Sequence, residues 1–150
     1  MSSREQWAPG QAILNWSWFG TAVFTVTAAG AAIRPSWFQW PSLLVSLVLF
    51  AAGTAAMVWA FLLAVERSRR HVIGIGGLYF AAGSAPTEVR KILLTSLAVQ
   101  IVVALTTASI RIYTSSAFGI LVPVWGLGLT GLWCARFGEF EVRQTDPQSG

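Results

Sequence analysis

Four long runs of apolar positions dominate the chain. They cover residues 13–33 (ILNWSWFGTAVFTVTAAGAAI), 42–65 (SLLVSLVLFAAGTAAMVWAFLLAV), 92–110 (ILLTSLAVQIVVALTTASI) and 117–135 (AFGILVPVWGLGLTGLWCA). None contains Asp, Glu, Lys, Arg or His. At a rise of 1.5 Å per residue each run makes a helix of about 28–36 Å. The hydrocarbon core of a bilayer is about 30 Å thick. Helices of a soluble bundle would carry a polar face, and these runs have none. The pattern predicts an all-α four-transmembrane-helix bundle, arranged as two antiparallel hairpins within a single domain over residues 13–135.

The segments between the runs set the organisation. Residues 1–12 form a short polar lead. The first loop, RPSWFQWP (34–41), places Trp37, Phe38 and Trp40 at headgroup level, where amphipathic rings settle. Pro41 then suits the first turn of the second helix, where a missing N–H is harmless. The connector 66–91 opens with ERSRRH, an extension of the second helix, and continues into GIGGLYFAAGS. Ser84, Pro86 and Glu88 read as the start of the third helix, with Ser84 as the cap. The loop at 112–116 is short enough to force the last two spans to be antiparallel neighbours. Pro123, among Gly119, Gly126, Gly128 and Gly131, predicts a kink in the fourth span. The polar tail 136–150 is expected to be disordered. Ala31-Ala32-Ile33-Arg34 and Ala108-Ser109-Ile110-Arg111 end the first and third spans alike, a faint echo of a repeated hairpin.

Charge adds orientation. Only 11% of the residues are charged, against about 25% in soluble domains. Of the ten basic residues, eight lie in the N-terminal lead, the connector and the C-terminal tail, which share one side if the spans alternate. That asymmetry places both termini in the cytoplasm, as expected of a multi-pass protein of a cytoplasmic (inner) membrane. The net charge of +4 is then a topology signal rather than a nucleic-acid footprint. Arg67, Arg69, Arg70, Arg90 and Lys91 are the candidates for contact with lipid headgroups. Arg34 and Arg111 fall on the opposite side. They either snorkel to lipid phosphate or meet an outer-face partner or anion.

Little of the inventory points to chemistry. Gly74-x-Gly76-Gly77 lacks the Lys and hydroxyl of a phosphate loop, so the stretch reads as an interfacial connector in which Val72, Ile73, Leu78, Tyr79 and Phe80 dip into the headgroup boundary. One His and one Cys cannot assemble a zinc site. No catalytic, metal or cofactor residues emerge, and the chain reads as non-enzymatic. Polar groups at membrane depth are the remaining pointers. Gln100, Asn15, Thr106 and Thr107 are the candidates for interhelical packing or for lining a pathway. Small residues four apart, such as Ala51/Ala55 and Ala52/Ala56, allow close helix approach inside the chain or toward a partner.

Residues 84–140 carry A-P-x-x-V-R at Ala85–Arg90, A-S-x-R at Ala108–Arg111 and A-F-G-x-L-V-P-x-x-G-L-G-L-x-G-L-W at Ala117–Trp133. This stretch resembles small multi-pass integral membrane proteins of unassigned function from actinobacteria. Such proteins favour Arg-Pro after the third helix, where this chain has Arg111-Ile112. The resemblance implies a membrane protein and supplies no mechanism. The expected role is an accessory or assembly subunit that packs against itself or other membrane protein subunits. The alternative is a small oligomeric transporter or channel.

Overall fold

The computed structural model describes residues 10–110 and 115–144. Among the described residues, five α-helices and one 3₁₀ helix follow one another: α1 (Gln11–Ile33), α2 (Pro35–Ser68), α3 (Ile75–Tyr79), α4 (Thr87–Ile110), the 3₁₀ helix (Ser115–Leu121) and α5 (Pro123–Phe137). Four of the described helical segments are long and apolar enough to cross a membrane: α1, α2, α4 and the 3₁₀–α5 unit from Phe118 to Phe137. The four-span bundle expected from the sequence is therefore present. α1 packs against α2 and α4, α5 packs against α2 and α4, and α2 and α4 occupy opposite corners.

The breaks between helices differ from the expected ones. The first loop, read as 34–41, is reduced to Arg34 (φ −130°, ψ 79°), because the chain is already helical from Pro35. Pro35 takes the first-turn position foreseen for Pro41, and Pro41 sits inside α2. The 34 residues of α2 span about 51 Å, well beyond the bilayer core. Its first turns carry the exposed indoles of Trp37 and Trp40. Pro123 does not kink a continuous helix: it begins α5 after a separate 3₁₀ turn.

The core has three layers along the bundle axis. At the end that carries most of the basic residues, Leu14, Ala60, Ala64, Leu93, Trp133 and Cys134 form one apolar cluster. At the Arg34 end, Phe24, Ala28, Ala104 and Val122 form another. Between them lies a polar layer of Ser17, Thr21, Ser96 and Gln100, each buried. The fully buried residues of α2 are all small, Ser42, Ser46, Gly53, Ala60 and Ala64, with Val45, Leu49 and Leu63 partly buried beside them. Small residues let helices approach closely, which matters in lipid because burial of apolar surface there drives little association. A Cβ built on Gly53 would lie 2.5 Å from the backbone nitrogen and Cα of Trp125, and one on Gly128 would collide with the Gly53 carbonyl. α2 and α5 thus touch backbone to backbone.

The connector is folded into the bundle rather than laid on its surface. Leu78 and Ala81 are buried in the basic-end cluster with Ala60, Ala64, Trp133 and Cys134. The Tyr79 hydroxyl donates to the Met57 carbonyl of α2 at 3.2 Å, and burial raises the phenol above its ordinary pKa. Ala81 adopts φ 51°, the left-handed region that a side chain enters at a cost of about 1–2 kcal/mol. Its complete burial holds it there. Ser84, expected to cap the third helix, instead hydrogen-bonds to the Gly77 carbonyl and lies 3.6 Å from the Cys134 sulfur. Of the residues read as interfacial, Val72 and Phe80 are exposed, and Leu78 and Tyr79 are drawn inward.

The first part of the tail, through Arg143, lies against the connector. α5 extends to Phe137. Beyond it, the Glu139 N–H donates to Ser84 O at 2.8 Å, the Val72 N–H to Glu141 O at 2.9 Å, and the Arg143 N–H to Arg70 O at 2.9 Å. His71 and Val142 form an antiparallel bridge. Residues 145–150 lie outside the described residues.

Candidate functional site

The middle layer begins with two stripes. On α1, Ser17, Gly20, Thr21 and Phe24 face inward; on α4, Leu93, Ser96, Leu97 and Gln100 do. Spacings of three and four put each set on one helix face. Ser17 Oγ and Ser96 Oγ are 2.7 Å apart, and Thr21 Oγ1 and Ser96 Oγ 2.9 Å apart. The Thr21 hydroxyl donates to the Ser17 carbonyl of its own helix at 2.8 Å. It is then an acceptor toward Gln100, whose Nε2 donates to it at 2.7 Å.

Gln100 faces the start of α5 with its other end. Its Oε1 accepts the Gly126 backbone N–H at 3.2 Å. The first N–H groups of a helix have no partner within the helix. Here that problem arises inside the bundle, because the fourth span is interrupted at Pro123. Proline removes one donor, and the Trp125 N–H turns back to Val122 O at 2.8 Å. Gln100, 0% exposed, caps the Gly126 N–H from another helix. One amide thus joins α1, α4 and α5.

The other expected intramembrane polar residues divide. Thr107 is buried and bonds to Val103 O at 2.8 Å within its own helix. Thr106 is exposed and bonds to Val102 O. Asn15 is also exposed, accepting from Gln11 Nε2 at 3.2 Å on the outer face of α1, so it packs no interior. The partners that sequence reading missed are Ser17, Thr21 and Ser96. Their signal was their spacing: Ser17/Thr21 and Ser96/Gln100 are pairs four apart.

The basic residues also separate. Arg67 was assigned to lipid headgroups, yet its guanidinium donates to Ala135 O at 2.8 Å and Gly138 O at 3.0 Å, over the Phe140 ring at 5.4 Å. It serves as a cationic cap on the C-terminus of α5, where the helix dipole favours positive charge. Arg69 and Arg70 remain exposed and border a cleft of about 780 Å³ with Leu62, Val65, Glu66 and His71. Arg90 and Lys91 are exposed on α4, with Lys91 3.4 Å from Glu88. Arg34 is exposed at the α1–α2 junction, and Arg111 lies outside the described residues. Among the described residues, no group of three His, Cys, Asp or Glu side chains is placed to hold a metal ion.

Comparison of the chain with family models, with curated proteins and with solved structures gives no match.

Proposed function

We propose that this chain is a non-enzymatic accessory or assembly subunit of the bacterial cytoplasmic membrane, with its basic end and both termini in the cytoplasm. It works by packing a helix face against itself or a larger membrane complex. The small actinobacterial membrane proteins that residues 84–140 resemble are its proposed kin. The observation that carries the reading is the outer face of α2. This longest helix fully buries only small residues and leaves Leu44, Val48, Ala51, Ala55 and Trp59 outward. Alanines four apart flanked by large apolar side chains form a surface on which another helix can seat closely. Native mass spectrometry after gentle extraction tests it. Wild type is expected to emerge in a heavier complex of fixed composition. An Ala51→Leu/Ala55→Leu variant is expected to fold normally and to emerge alone. A wild-type protein that is monomeric in every mild detergent and in native membrane patches defeats the proposal.

The interrupted fourth span favours a second reading, a small oligomeric transporter or channel. Discontinuous helices line the substrate sites of many transporters. There Gln100 would border the path. Liposome flux that Gln100→Leu alters supports that reading; a change in stability alone removes Gln100 from it.

A further inference from the structure

We propose that the cleft at the basic end of α2 binds the phosphate of an anionic membrane phospholipid. Leu62, Val65, Glu66 and Arg69 recur at intervals of three and four and so share one face of the helix, with Arg70 and His71 at its end. The cleft thereby grades from apolar to cationic along α2. Its volume of about 780 Å³ falls within the range of small-ligand sites.

The donors are unengaged. Arg69 and Arg70 are exposed, and among the described residues the sole ion pair is Lys91–Glu88. Glu66 is the one carboxylate on the wall, opposed by Arg67, Arg69 and Arg70. Arg67 is bonded to carbonyls, which hold its position without neutralising its charge. Guanidinium groups present paired N–H donors that match phosphate oxygens.

The rim is also fixed in advance. The His71 N–H donates to Arg67 O at 3.1 Å, and the strand-like pairing of Arg70 and Val72 with Glu141 and Arg143 fastens it from the other side. Ordering a site before binding lowers the entropy lost on binding. Leu62 and Val65 decide between a lipid and a free phosphate. Both are about half exposed and continue the apolar outer face of α2, where an acyl chain attached to the phosphate would lie.

The experiment is native mass spectrometry of purified protein in mild detergent, titrated with phosphatidylglycerol or phosphatidylcholine. Wild type is expected to retain phosphatidylglycerol preferentially. Arg69→Gln/Arg70→Gln is expected to weaken that retention at least about tenfold. Arg90→Gln/Lys91→Gln, equally basic but outside the cleft, is expected to leave it unchanged. Leu62→Asn, which alters no charge, is expected to weaken both lipids. Equal losses in the two charge variants mean a diffuse surface field and overturn the proposal, as does unchanged binding in Arg69→Gln/Arg70→Gln. Glycerol phosphate is the final arm. If it displaces the lipid at comparable concentration, the site takes a soluble phosphate and the lipid assignment fails.

Discussion

α2 and the fourth span invert the usual link between hydrophobicity and burial. The most apolar window of α2 has mean hydropathy 2.2 and is 17% buried; Phe118–Phe137 has 1.6 and is 56% buried. In water the more apolar helix would be the inner one. In lipid the surroundings are as apolar as leucine, so the interior goes to the helix that fits most closely. Gly126, Gly128 and Gly131 fit, and they are buried. Most bulky residues of α2, Leu44, Val48, Trp59 and Phe61 among them, remain on the perimeter.

The strongest way to break this comparison is to enlarge its contact point. Gly53→Leu, driven into the Trp125 backbone, is expected to lose about 3 kcal/mol or more in reversible unfolding in mixed micelles. Ala51→Leu, on the outer face of the same helix, is expected to stay within about 0.5 kcal/mol of wild type. If both variants were equally destabilised, packing against α5 would not be what places α2.

The interruption of the fourth span supplies the next test. Gln100→Leu leaves the Gly126 N–H without its acceptor at membrane depth and is expected to cost about 1–2 kcal/mol in the same assay. Gln100→Glu, which keeps an acceptor for that N–H, sharpens the test when its stability is followed with pH: it should come closer to wild type where its carboxyl is protonated. Arg67→Ala, which uncaps the opposite end of α5, is expected to cost about 1 kcal/mol, with Arg69→Ala unchanged.

Tyr79→Phe is the mildest change, at about 0.5–1 kcal/mol for the lost bond to Met57 O. It also carries a pH signature. Burial raises the Tyr79 pKa in the folded chain. Its contribution is therefore complete below the ordinary tyrosine value of about 10 and declines as pH rises through the higher folded value. The variant should lack that decline.

The spans were legible because a run without charge has few alternatives. Their interruptions were harder to read. Pro41 and Pro123 have the same local preference, yet one lies within a helix and the other begins one. The difference is made by neighbours: Gln100 supplies from another helix what α5 lacks at its start. Gln100 itself stood out as a mid-span amide. Ser17, Thr21 and Ser96 did not, because a hydroxyl at depth can bond to its own helix, as Thr106 does. Asn15 misled for the related reason that composition does not give direction around a helix. The connector's apolar residues suited a lipid interface and a protein interior equally well.

The pairing of residues 70–72 with 141–143 has a consequence for the order of synthesis. A ribosome completes the connector long before it reaches Trp133, Cys134 and Glu141, against which that connector rests. While α4 is being made, Leu78 and Ala81 have no α5 to cover them, and Val72 has no carbonyl to bond. The middle of this protein thus takes its final shape only after its last helix has emerged. A chain cut just after Phe137 would keep its spans and lose the Gly138 and Glu141 carbonyls that close its basic end.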